Sequence, residues 1–194
     1  MKTLVTVLTL AVALTLGPAV QAHNFRGENE LSGGLGGQVG MHDSPGGGLF
    51  AAEYGYRLSQ ITWLNLELDM AFGGGRDCFV DRAGFVTCDR FGGEALDLIA
   101  GAKWKFVTRN EHLVPYLKVG GGLAFLFFPG PDNDAIAPIV RVGGGLKYFV
   151  LPNLGVGGEM SAAFGPGIYS CGPGCSTGDL YAAWNIMGGV EFNF

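Results

Sequence analysis

The charged residues within the apolar segments of this chain keep to a single parity in each segment. Eight segments alternate with a period of two: residues 31–41, 49–58, 63–72, 95–106, 114–127, 137–150, 154–164 and 180–194. That period is the signature of strands whose two faces meet different surroundings. The acids inside them are Glu53, Glu67, Asp69, Asp97, Glu159 and Glu191, and the bases are Arg57, Lys103, Lys105, Lys118, Arg141 and Lys147. The third segment is the cleanest, with Leu64, Leu66, Leu68, Met70 and Phe72 opposing Asn65, Glu67, Asp69 and Ala71. With the parity of each segment chosen freely, five agreements remain independent, and chance gives them roughly one time in thirty-two. A Lys or Arg turned toward hydrocarbon at a membrane midplane would cost about 2–4 kcal/mol. The pattern therefore predicts apolar residues outside and ions inside. A soluble barrel would invert this, and its interior would hold Phe72, Trp104, Phe125, Phe164, Trp184 and Phe192. The expected fold is all-β: an eight-stranded antiparallel up-and-down transmembrane β-barrel.

The connections alternate in length. Residues 59–62, 107–113 and 151–153 are short, whereas 42–48, 73–94, 128–136 and 165–179 are longer and polar or glycine-rich. Short turns on one rim and long loops on the other is the outer-membrane arrangement, and an even strand number brings both termini to the turn rim. The last segment, residues 180–194, alternates aromatic and apolar residues with polar ones and stops at Phe194. In this it resembles the small bacterial outer-membrane barrels of the OmpA/OmpX/OmpW kind, a porin-like barrel domain. The resemblance covers residues 31–194. It implies a bacterial outer-membrane location with both termini periplasmic, and contact with outer-membrane lipid and lipopolysaccharide. It also implies recognition by the barrel-assembly machinery through the strand ending at Phe194.

The first 22 residues read as a secretory signal peptide, with Lys2, an apolar stretch from Leu4 to Leu16, and a Val20-Gln21-Ala22 cleavage site. Residues 23–194 are expected to form the barrel domain, with 23–30 as a polar lead. The formal net charge is −5 with no basic run, which argues against nucleic acid as a partner. Four cysteines suit an oxidising compartment. They fall as local pairs, Cys78 with Cys88 and Cys171 with Cys175, and local disulfides are favoured among the three connectivities that four cysteines allow.

Glycine is 35 of 194 residues, far above the usual ~7%. Many glycines share the charged parity and would leave room in the lumen for long ionic side chains. An eight-stranded barrel is just wide enough for side chains to fill, so the twelve ionic residues are expected to plug it. The first functional reading is accordingly a structural or surface-interaction protein, not an enzyme. The alternative is a narrow pore for small solutes or apolar molecules. A third reading is a lipid A-modifying enzyme, because lipid A deacylases of this shape carry a His-x-Ser pair and His42-Asp43-Ser44 has that spacing. Its place before Pro45-Gly46 reads instead as turn chemistry. No cofactor or metal motif is found. The loop 73–94 mixes Arg76, Asp77, Asp81, Arg82, Asp89 and Arg90 with Phe79, Phe85 and Phe91, which marks it as the place for extracellular ligands.

Overall fold

The computed structural model describes residues 27–41, 44–80, 86–106, 108–128, 134–169 and 178–194. Among them are nine strands: β1 (Asn29–Met41), β2 (Gly46–Arg57), β3 (Thr62–Val80), β4 (Val86–Phe91), β5 (Glu94–Lys105), β6 (Leu113–Phe127), β7 (Ala135–Leu151), β8 (Leu154–Tyr169) and β9 (Gly178–Asn193). Hydrogen bonding runs β2-β1-β9-β8-β7-β6-β5-β3, and β3 pairs back onto β2. The result is a closed ring of eight antiparallel strands. Closure pairs the backbone groups that an open sheet would leave bare at its edges. Asn29 and Phe194 exchange two backbone hydrogen bonds of 3.1 and 2.9 Å, so the first and last strands meet at the rim that also carries the turns after β2, β5 and β7.

The side-chain alternation sorts inside from outside. Leu35 is 69% exposed and Leu66 and Ile186 are each 58% exposed, whereas Arg141, Lys103 and Lys105 are each 1% exposed. A soluble protein does the opposite, since charged residues are almost never fully buried unless paired.

Three expectations about the chain's course are corrected. Residues 73–94, expected as one loop, continue the sheet: β3 runs on to Val80 and pairs with β4, with Cys78 opposite Cys88. Gly73 and Gly74 make this possible, because both have positive φ (157° and 136°), which Cβ-bearing residues rarely adopt. They lie where β3 leaves its ladder with β2 and begins pairing with β4 in a two-stranded arm. Glu30, expected in a polar lead, lies inside β1, because its parity continues that of Ser32 and Gly34. Pro138, expected to open a strand, lies four residues into β7. The ladder with β8 holds at Ile136–Ile168 and resumes at Val140–Phe164, which sets Pro138 opposite Pro166. Neither proline has an N–H to donate, so the gap follows from chemistry.

Candidate functional site

The inward parity fills the lumen in three layers. Near the turn rim Trp63, Val114 and Phe149 form an apolar floor. Toward the opposite rim a ceiling is made chiefly of Leu49, Ala71, Ala95, Ala124, Leu126, Ala137, Ile139, Ala163 and Ala183. Between them lie seven carboxylates and five cations, all buried: Glu30, Glu53, Glu67, Asp69, Asp97, Glu159 and Glu191 with Lys103, Lys105, Lys118, Arg141 and Lys147.

These groups form one connected chain. Lys147 lies 3.9 Å from Glu191, and Glu191 lies 2.6 Å from Lys105. Lys105 also holds Glu30, whose other oxygen is 2.6 Å from Lys103. Lys103 continues to Glu53, and Glu53 lies 3.7 Å from Lys118. Lys118 pairs with Glu159 and sits 2.8 Å from Glu67. Glu67 is 2.8 Å from Arg141, which also grips Asp69 and reaches Asp97 at 2.5 Å. Two tyrosines close the lattice. Tyr116 donates to Glu159 (2.7 Å) and Tyr181 to Asp97 (3.2 Å). Lys105 additionally stands over the Trp63 ring, 4.4 Å from its centre, a favourable cation–π placement.

The two signs are segregated across the lumen. All five cations come from β5, β6 and β7; apart from Asp97, the acids come from β8, β9, β1, β2 and β3. Like charges therefore sit side by side, as with Glu53 opposite Glu67, Asp69 opposite Asp97 and Lys103 opposite Lys118. Such neighbours repel along the wall. Their attraction is directed through the lumen, so each ion pair links two strands that are not neighbours in the ring.

Glycine provides the room. A Cβ on Gly55 would lie 2.4 Å from Cγ of Glu30, and one on Gly145 would lie 2.7 Å from the Tyr116 hydroxyl. What space remains beside Ser32, Glu53, Tyr116, Lys118, Lys147 and Glu159 is a cavity of about 30 Å³, enough for about one water molecule.

Of the twelve ionic residues expected in the lumen, eleven are buried there. Arg57 is the exception: it is half-exposed at the end of β2, and its Nε donates to the Ser59 carbonyl at 3.2 Å. Glu30 as a network member, and Trp63 and Tyr116 as lumen residues, go beyond the expected set, although each is in phase with a charged or polar neighbour two residues on. Ser44 is buried, and its Oγ accepts from the Ala182 backbone N–H at 3.0 Å. Gln38 Nε2 donates to the Pro45 carbonyl at 2.7 Å, folding the end of the first connection over the ceiling. His42, Asp43, the signal-peptide segment, Cys171 and Cys175 lie outside the described residues. At Cys78 and Cys88 the description is of backbone register alone.

This closed, ion-filled ring is the fold of the small eight-stranded outer-membrane β-barrels. Among solved structures it is similar to neisserial surface protein A (TM-score 0.60, 15% identity, covering 86% of this chain and 96% of that one). It is also similar to the N-terminal barrel domain of Pseudomonas aeruginosa OprF (TM-score 0.52, 18% identity, 87% and 98% covered) and to OprG from Pseudomonas aeruginosa (0.52, 9%, 90% and 100%). At these identities the likeness is one of fold. No protein-family model matches the chain, and no curated protein matches it.

Proposed function

We propose that the protein is an integral outer-membrane barrel with a sealed lumen and a structural or surface-interaction role. Its working surface is the β3–β4 arm and the neighbouring connections. The observation that carries this reading is the inversion of polarity: exposed Leu35, Leu66 and Ile186 against buried Arg141, Lys103 and Lys105. Bacterial outer membranes are where closed barrels of this polarity are at home. In this reading the termini and short turns face the periplasm and the arm faces outward. The outer strand faces meet lipid and lipopolysaccharide, and the barrel-assembly machinery recognises the strand ending at Phe194.

The seal is supported by the three-layer filling. An ion crossing the lumen would have to part the floor, break ion pairs such as Lys118–Glu67 and displace the ceiling together. What favours the pore reading among the described residues is the cavity of about 30 Å³ beside Lys118 and Glu159. The lipid A-enzyme reading is weakened at its candidate nucleophile, because the Ser44 hydroxyl is buried and engaged by a backbone N–H. Reconstitution into a planar bilayer tests the seal. The expected record shows no unitary current steps at moderate voltage; reproducible steps would overturn the sealed reading in favour of the pore.

A further inference from the structure

We propose that Lys105 is the latch of the seam where the first strand meets the last. β1 and β9 are the one neighbouring pair in the ring that no hairpin connection joins, so only hydrogen bonds and side chains hold them together. Each carries one buried carboxylate toward the turn rim: Glu30 on β1 and Glu191 on β9. The register pairs Glu30 with Asn193 and Ser32 with Glu191, which makes the two acids diagonal neighbours across the seam. Left to themselves, like charges at this spacing push the strands apart. β5 is the third strand around the ring from β1 and the fourth from β9, so it faces the seam across the lumen. From there Lys105 places one ammonium between the two acids, 2.6 Å from Glu191 and in contact with Glu30. The Trp63 ring beneath it supports the ammonium.

The neighbouring cations do not duplicate this bridge. Among the described residues, Lys103 makes ion pairs with Glu30 and Glu53 and feels Glu191 only from beyond ion-pair distance, and Lys147 lies 3.9 Å from Glu191 with no ion pair to β1. Removing Lys105 leaves Glu30 with Lys103 and Glu191 with Lys147 at 3.9 Å, and the repulsion between the two acids is left without a shared cation. The damage is confined to the seam, because strands such as β6 and β7 are tied by a direct connection.

Hydrogen exchange read by mass spectrometry on the full chain in detergent micelles tests this. In Lys105→Met, peptides from β1 and β9 should exchange on the order of a hundredfold faster, while β6 and β7 stay within about threefold of the parent. Lys105→Met/Glu191→Gln removes the repulsion as well and should return the seam to within about tenfold of the parent. Equal acceleration of all strands, an unchanged seam in Lys105→Met, or no recovery in the double variant would each overturn the latch. If Lys105→Met does not fold, the double variant still should; its failure to fold would overturn the proposal equally.

Discussion

Glu53 and Glu67 lie directly opposite each other on β2 and β3, and the Lys118 ammonium from β6 comes between them, 3.7 Å from one and 2.8 Å from the other. Two like charges on neighbouring strands are answered by one ion from a strand that neighbours neither. The same device recurs with Asp69 and Asp97, which face each other on β3 and β5 and share Arg141 of β7. The lumen is therefore cross-braced, and several consequences can be measured.

Arg141 holds three carboxylates, Glu67, Asp69 and Asp97. Arg141→Met leaves all three buried without their guanidinium, and breaking a buried pair in this way costs about 3–5 kcal/mol. Urea unfolding in micelles should show a loss of that size. Arg141→Lys should recover only part of it, because an ammonium cannot present the planar fork that serves both Glu67 and Asp97. Full recovery by lysine would show that the geometry of the fork is immaterial.

Gly55 and Gly33 separate room from surface. A Cβ on Gly55 would strike Glu30, whereas on Gly33 its nearest contact is the Ala51 carbonyl at 3.8 Å. Gly55→Ala should lower stability by about 1–3 kcal/mol through overpacking. Gly33→Ala should be neutral or slightly stabilising, since it trims the entropy of the unfolded chain. Equal effects in a denaturant titration would contradict the placement of Glu30 under Gly55.

Glu28 and Glu30 are two residues apart, and only the second enters the lumen. Glu30 is 0% exposed and touches both Lys103 and Lys105, while Glu28 is exposed at the rim. Glu30→Gln should cost about 3 kcal/mol. Glu28→Gln should stay within about 0.5 kcal/mol, as surface changes usually do. The difference in urea midpoint between these two variants reads the depth of the network at the floor.

Cys78 and Cys88 are register partners in the arm. Directly opposed residues in an antiparallel pair have Cα atoms about 4.5–5.5 Å apart, inside the 4.4–6.8 Å that a disulfide spans. Peptide mapping without reductant should recover the segments around Cys78 and Cys88 linked to each other. Recovery of Cys78 linked to Cys171 or Cys175 would contradict a local pairing.

The ring was legible in the sequence because parity is a local property: each residue's face depends only on its position along its own strand. Glu67 and Asp69 sorted correctly from Leu66 and Leu68 for that reason. Partner choice was not legible. That Arg141 meets Asp97 across 44 residues depends on strand tilt and ring closure, and neither is written in any single segment. Glu30 was missed because a lone acid at the edge of a segment resembles a solvated lead, and its phase with Ser32 was the available signal. Arg57 had the right parity but stood too near the turn to remain inside. The arm was not legible because Gly73-Gly74 reads as the end of a strand, whereas β3 continues through both at positive φ.

The central claim is the inversion of polarity, and the tryptophans are natural probes of it. Trp184 on β9 is 53% exposed on the outer face, while Trp63 is fully buried in the lumen floor. Single-tryptophan variants (Trp63→Phe/Trp104→Phe and Trp104→Phe/Trp184→Phe) would be reconstituted into bilayers whose acyl chains carry bromine, and their fluorescence compared with that in plain lipid and in aqueous iodide. The account predicts that brominated lipid quenches Trp184 strongly, and that Trp63 is shielded from both quenchers. Quenching of Trp184 by iodide with no response to brominated lipid would contradict it.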